Sequence, residues 1–153
     1  MTSESHDRRD FLVAGAALAA AALAAAPTPA AAQAHGGRLT VHILDLYSGT
    51  PANGIRIDLV ALDGGAPKTL KSVVANADGR PPEGPFLTPE TIKPGRYQVV
   101  AHTGEYFKKI GAKVPGGYYT KLTLEFEIYD AKQPHHVPFQ ITPWTQSASV
   151  LPG

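Results

Sequence analysis

The chain has 153 residues, a formal net charge of +1 and no cysteine. The near-neutral charge excludes a strong electrostatic case for binding nucleic acid or an anionic membrane surface, and the missing cysteines exclude disulfides, thiolate metal sites and thiol nucleophiles. The 15 glycines and 14 prolines divide the chain into many short segments, which favours an all-β organisation.

The first 34 residues have the organisation of an export signal. Arg8 and Arg9 form a twin-arginine pair, an apolar run from Val13 to Ala26 follows, and small residues ending near position 34 fit an A-x-A cleavage site. The apolar run is shorter than the roughly 20 residues that span a bilayer, so we expect cleavage rather than a membrane anchor. These features predict a periplasmic protein without stable membrane association, with one domain formed by residues 35–153.

Beyond the signal, apolar and polar residues alternate in a series of short segments. A period of two is typical of β-strands that bury one face. The predicted strands are 38–45, 55–62, 69–75, 96–102, 121–129, a segment around 137–141 and a last one within 144–151. Residues 104–110 lack the alternation and predict about two helical turns closed by Gly111. Seven or eight short strands with one short helix predict an all-β sandwich with Greek-key-like connections.

Two histidines are candidate functional residues because the alternation directs them away from the predicted core. His42 lies opposite the apolar face of strand 38–45, and His136 lies opposite the apolar face of the segment around 137–141. Neither is therefore expected to be a buried structural histidine. A third candidate, Arg80, follows a tight-turn signal, and loops often present functional groups. Position alone fits solvated surface side chains equally well.

Seven short motifs follow one another along the chain. They are L-T-V-H-I-L-D, S-G-T-P-A, A-D-G-R, G-R-Y, T-G-E-Y-F, H-V-P and T-P-W, at residues 39–45, 48–52, 77–80, 95–97, 103–107, 136–138 and 142–144. In this order and spacing they resemble the motifs of the transthyretin-like 5-hydroxyisourate hydrolases. The resemblance covers essentially all of the predicted domain.

The resemblance implies a transthyretin-like β-sandwich of two four-stranded sheets, assembled as a homotetramer with active sites at an interface between dimers. The family's catalytic histidine–arginine–histidine set maps onto His42, Arg80 and His136. The implied substrate is a small molecule, 5-hydroxyisourate, whose cyclic amide is hydrolysed during urate degradation. Neither a metal nor an organic cofactor is implied.

The C-terminal tail departs from the family pattern. The hydrolases end in Y-R-G-S, whereas the aligned positions here are Ser149, Val150, Leu151 and Pro152. Ser149 is a weak candidate for a hydroxyl that contacts the substrate. The altered tail also supports an alternative function, a non-catalytic periplasmic transthyretin-like protein that binds a small ligand in the same channel between subunits.

Two further alternatives depend on fewer features. Cleavage after Ala34 would make His35 the N-terminal residue, and its amine and imidazole could then chelate copper together with another histidine. The fold by itself also fits a structural sandwich module whose partner lies on another chain.

Overall fold

The structure, a computed structural model, describes residues 36–114 and 117–153. The predicted export signal and its cleavage site lie outside these residues. Within the described ranges, no helix is long and apolar enough to cross a membrane.

The described part of the chain forms nine strands and one helix. They are β1 (Arg38–Asp45), β2 (Thr50–Pro51), β3 (Arg56–Ala61), β4 (Lys68–Val74), β5 (Gly95–Ala101), α1 (Thr103–Lys109), β6 (Leu122–Ile128), β7 (Pro134–Ile141), β8 (Gln146–Ala148) and β9 (Leu151–Pro152). Every predicted strand and the predicted helix are present, and most of their ends lie within one residue of the prediction. The last predicted strand is divided into β8 and β9.

The strands form two sheets. One has the order β4-β3-β5-β6 and is antiparallel throughout. The other has the order β2-β1-β7-β8, and β9 also pairs with β7. In this second sheet β1 and β7 run parallel. The predicted all-β sandwich is confirmed. The second sheet has five strands, because the first turn and the tail each add a two-residue strand, β2 and β9, to β1, β7 and β8.

The core lies between the sheets and consists of the inward residues of each strand. Its fully buried members include Leu39, Val41, Ile43, Ile57, Leu59, Val99, Val137, Phe139 and Ile141. On the edge strand β6, Leu122 and Ile128 are buried, whereas Leu124 and Phe126 are only partly buried against the core. Because side chains alternate along a strand, Thr40, His42 and Leu44 of β1 and His136, Pro138 and Gln140 of β7 face away from this core.

Asp45, at the end of β1, is a fully buried carboxylate. It accepts hydrogen bonds from the backbone N–H of Tyr47 at 2.8 Å, the hydroxyl of Ser48 at 2.6 Å and the hydroxyl of Tyr106 at 3.0 Å. These donors compensate for the loss of water around the charge. Burial and the nearby Asp45 charge raise the pKa of Tyr106 to about 12, so its hydroxyl keeps the proton that it donates. The network ties the turn after β1 to α1.

We expect Tyr106→Phe to lower the free energy of unfolding by about 1–3 kcal/mol, because it removes a hydrogen bond from a buried charge. Tyr129→Phe is the matched control, since Tyr129 is 80% exposed and should be insensitive to the same change. Urea unfolding of both variants beside the wild type measures the difference. A Tyr106→Phe protein as stable as the control would show that the Asp45 network contributes little.

Candidate active site

The turn that carries Arg80 is held against β1 by its own backbone. Asn76 Oδ1 accepts hydrogen bonds from the backbone N–H groups of Asp78 and Arg80, each at 3.0 Å. The Gly79 carbonyl accepts a hydrogen bond from the Ile43 N–H at 2.9 Å. Gly79 has a φ of +70°, and a Cβ there would collide with the carbonyl oxygen of Ile43, so both conformation and space require glycine. The turn therefore presents Arg80 beside β1.

The two candidate histidines lie on neighbouring strands of the same sheet. The parallel register of β1 and β7 pairs Thr40 with His136, and His42 with Pro138. Both histidines therefore occupy the outward face, two register positions apart, and both are half-buried. This is the face that the alternation of the sequence predicts for them.

Arg80 and His42 are in direct contact. Nη2 of Arg80 lies 3.2 Å from Nδ1 of His42. A guanidinium can only donate hydrogen bonds, so Nδ1 of His42 is the acceptor and carries no proton. The structure thus places Arg80, on a turn, in contact with His42, on β1.

Thr40 is a site residue that the sequence analysis did not single out. Its Oγ1 lies 2.9 Å from Nδ1 of His136 and 3.3 Å from the carbonyl oxygen of His135. The available signal was the alternation of β1, which places Thr40 on the same face as His42. The alternation could not show that β7 pairs with β1 in this register.

The surroundings lower the pKa of both histidines. Burial is the largest cause for His42 and for His136, and the positive charge of Arg80 adds to it in each case. The pKa of His42 is lowered further by His136, while a hydrogen bond to the backbone of Asp78 acts in the opposite direction. Both imidazoles are therefore neutral at pH 7, and each has one nitrogen that can accept a proton.

An open cavity of about 280 Å³ adjoins this cluster, between β1 and the segment that follows the Arg80 turn. Its lining includes Thr40, Asn76, Arg80, Pro81, Pro82 and Pro85. The prolines make one wall apolar, and Thr40 and Arg80 supply polar groups. An apolar wall with a few convergent polar groups is typical of small-molecule sites.

The C-terminal tail runs along β7 beside His136. Leu151 is the cross-strand partner of His136, and the N–H of Ser149 donates to the carbonyl of Pro138 at 3.3 Å. Ser149 is thereby opposite Pro138, on the outward face, but no hydrogen bond within the described residues joins its hydroxyl to the histidines or to Arg80. Leu151 is 45% exposed and places an apolar side chain next to His136.

His102 belongs to a separate network on the other sheet. Its ring is 2% exposed, Nε2 lies 2.6 Å from Asp58 Oδ2, and Nδ1 lies 2.8 Å from Arg56 Nη2. Arg56 also donates to Glu105 of α1 at 2.8 Å. Because both ring nitrogens have protein partners, this histidine serves to attach α1 to its sheet.

The described residues contain no group of three or more His, Cys, Asp or Glu side chains that could hold a metal ion. The copper-binding alternative depends on His35, which lies outside those residues.

A two-sheet sandwich with a histidine–arginine–histidine cluster on its outer face defines this chain as a transthyretin-like protein. The sequence profile described as the HIUase/Transthyretin family matches residues 39–148, and the chain belongs to this family. Over 112 residues it is 40% identical to 5-hydroxyisourate hydrolase 2 of Rhizobium meliloti, an alignment that covers 72% of this chain and 92% of that relative.

Solved structures agree with this assignment. The 5-hydroxyisourate hydrolase of Klebsiella pneumoniae is 31% identical, has a TM-score of 0.61, and the match covers 75% of this chain and 99% of that one. Sea bream transthyretin has a TM-score of 0.67 over 76% of this chain and 96% of its own, but at 19% identity it shows the fold alone. The comparisons thus favour the predicted hydrolase over its alternative, the non-catalytic binding protein.

Proposed function

We propose that this chain is a 5-hydroxyisourate hydrolase, which opens the cyclic amide of its substrate in urate degradation. The names of its relatives suggest the substrate. The observation that carries the proposal is the contact between Arg80 and His42 on the face that also holds His136. Since one fold can host unrelated functions, this local cluster supports an activity more strongly than the sandwich does.

Hydrolysis of a cyclic amide requires water to attack a ring carbonyl carbon. A base must remove a proton from the water as the new C–O bond forms, and a proton must reach the ring nitrogen as the C–N bond breaks. His42 and His136 are the candidate proton carriers because both are neutral at pH 7. Arg80 is suited to bind anionic oxygens of the substrate and to stabilise the charge that develops on the attacked carbonyl. No step calls for a metal or an organic cofactor.

The lowered histidine pKa values predict how the rate depends on pH. Because the pKa of each ring lies below the ordinary histidine value of about 6.5, kcat/KM should be half-maximal at a pH below 6.5 on the acid side. Stopped-flow rates between pH 5 and pH 8, corrected for the buffer reaction, measure the fall in rate on the acid side of the profile. A half-maximal rate reached above pH 6.5 would contradict the assignment.

The direct test of the proposal is turnover of freshly generated 5-hydroxyisourate by the purified protein. We expect its ultraviolet absorbance to decay faster than in buffer, in proportion to protein concentration. Decay at the buffer rate would reject the hydrolase. Ligand binding in a thermal-shift assay without turnover would instead support the non-catalytic alternative, in which Leu151 beside His136 has changed the site.

We also propose a homotetramer, in which a second subunit covers the outward face of the β1–β7 sheet. Support comes from the family resemblance and from apolar side chains that the loops beside this sheet leave exposed, among them Leu46 at 56%, Tyr47 at 44% and Trp144 at 44%. Sedimentation equilibrium of the purified protein tests it. A monomer at the concentration where the enzyme turns over would exclude the assembly as a requirement for activity.

We further propose export to the periplasm by the twin-arginine route, with a mature chain that starts at Gln33 or His35. The support is the order of Arg8-Arg9, apolar run and small residues. Cell fractionation and mass spectrometry of the N-terminus test it, with Arg8→Lys combined with Arg9→Lys as the export-deficient control. An unprocessed cytoplasmic chain would contradict export, and a start at Gln33 would remove the copper-binding alternative.

A further inference from the structure

The two active-site histidines differ in what their Nδ1 atoms contact. Nδ1 of His42 faces a guanidinium, whereas Nδ1 of His136 faces the hydroxyl of Thr40. A neutral imidazole carries its single proton on one of its two nitrogens, and the partner of one nitrogen decides which. The difference between the partners therefore allows the tautomer of each ring to be inferred separately.

The tautomer of His42 follows from the chemistry of arginine. Arg80 has five N–H donors and no acceptor, so the 3.2 Å contact is a hydrogen bond only if Nδ1 of His42 is unprotonated. The single N–H of His42 is then on Nε2 and also has to serve the hydrogen bond to the backbone of Asp78, while the basic nitrogen is already engaged with Arg80.

For His136 the assignment follows from the hydrogen-bond capacity of Thr40. The hydroxyl has one proton and two oxygen lone pairs, and it has two neighbours, the carbonyl oxygen of His135 at 3.3 Å and Nδ1 of His136 at 2.9 Å. The carbonyl can only accept. Both contacts are hydrogen bonds at once only if Thr40 donates to His135 and accepts from an Nδ1–H of His136. In the opposite tautomer Thr40 would donate to Nδ1 of His136 instead, and its contact with the His135 carbonyl would no longer be a hydrogen bond.

We propose that Thr40 is a positioning residue that holds His136 as its Nδ1–H tautomer, so that Nε2 of His136 is the general base. Arg80 holds His42 as the opposite, Nε2–H tautomer, so His42 acts as a hydrogen-bond donor. The inference rests on the proposed hydrolase function and divides its chemistry between the two rings. Thr40 and Arg80 both line the adjacent cavity, whereas neither histidine is among its lining residues.

With these tautomers, every proton of the reaction has a donor and an acceptor. Nε2 of His136 accepts a proton from water as the water oxygen bonds to the ring carbonyl carbon. The C–N bond then breaks, and the proton that His136 carries is delivered to the departing nitrogen, so the imidazole is neutral again. His42 and Arg80 donate hydrogen bonds throughout and neither gains nor loses a proton.

The test combines nitrogen NMR with kinetics on Thr40 variants. In 15N-histidine-labelled wild type without substrate, His136 should show a pyrrole-type Nδ1 and a pyridine-type Nε2, its signals being identified by their absence from His136→Gln. Thr40→Val removes the hydroxyl at nearly constant shape and should give mixed tautomers and a kcat lower by about tenfold to a hundredfold, the usual cost of losing a partner that orients an imidazole. KM should change little.

Thr40→Ser keeps a hydroxyl and should preserve both the wild-type tautomer and most of kcat, which a purely steric role for Thr40 would not predict. Thr123→Val, on the exposed face of β6, is the matched control and should behave as wild type. A pyridine-type Nδ1 on His136 in the wild type would overturn the inference, as would a Thr40→Val protein with wild-type tautomer and kcat. If the wild type fails to hydrolyse 5-hydroxyisourate, the proposed function fails, while the spectrum of the unliganded protein still decides the tautomer.

Discussion

His136→Ala is expected to lower turnover of 5-hydroxyisourate by about two to four orders of magnitude, the usual span for a positioned acid–base group. The alanine removes the ring whose environment keeps it neutral and whose strand register places it beside Thr40. The ring is half-buried on the outward face and takes no part in the core, so the fold should survive its removal. Steady-state kinetics with the buffer rate subtracted measure the loss.

A second site variant and one control accompany His136→Ala. His42→Ala removes a hydrogen-bond donor and the partner of Arg80, and should lower turnover by about two to three orders of magnitude, as the loss of one stabilising donor does. Thr123→Ala removes an exposed side chain from the opposite sheet and should leave the rate unchanged. Thermal unfolding of all three variants separates lost chemistry from lost structure. A stable His136→Ala protein with near-wild-type turnover would remove His136 from the mechanism.

Arg80→Ala has the second-largest expected effect, a loss of about two to three orders of magnitude in kcat, comparable to the removal of one donor that stabilises a developing oxyanion. It should also change the titration of both histidines. The charge of Arg80 contributes to the low pKa of His42 and of His136, so the pKa of each should rise when that charge is removed. The rings then stay protonated to a higher pH, and the acid limb of the rate profile moves upward.

Arg80→Lys distinguishes charge from geometry. Lysine retains the positive charge and should keep both pKa values low, but it lacks the planar fork that contacts Nδ1 of His42 and so should restore only part of the activity. Arg96→Ala, an exposed arginine on the other sheet, is the control for a general change in charge. Unchanged histidine titrations and an unchanged rate in Arg80→Ala would show that Arg80 is only a solvated turn residue.

Most of the strands could be predicted from the sequence because their signal is local. In β1, alternate residues are buried and half-buried along the whole length, which is the pattern that one covered face imposes. The outward direction of His42 followed from that pattern alone. The turn at residues 76–79 was also recognisable from its Asn-Ala-Asp-Gly signal, and the positive φ of Gly79 and its contact with β1 give the physical reason for the glycine.

The tail was harder to predict because nothing local specifies its partner. One strand was expected within residues 144–151, but the chain forms β8, leaves the ladder at Ser149 and Val150, and pairs again as β9. Both short strands use β7 as their neighbour. Leu151 therefore comes to lie opposite His136 through long-range pairing.

The amino-acid pattern was sufficient to predict which side chains leave each strand away from the core, because alternation is a property of neighbouring residues. It also carried the motifs by which the family could be recognised. The contacts of Thr40 with His136 and of Arg80 with His42 became apparent only in the folded chain, since these pairs are separated by 96 and 38 positions in sequence. Packing of the two sheets around a common core sets which strands become neighbours and in what register, and no local pattern contains that information.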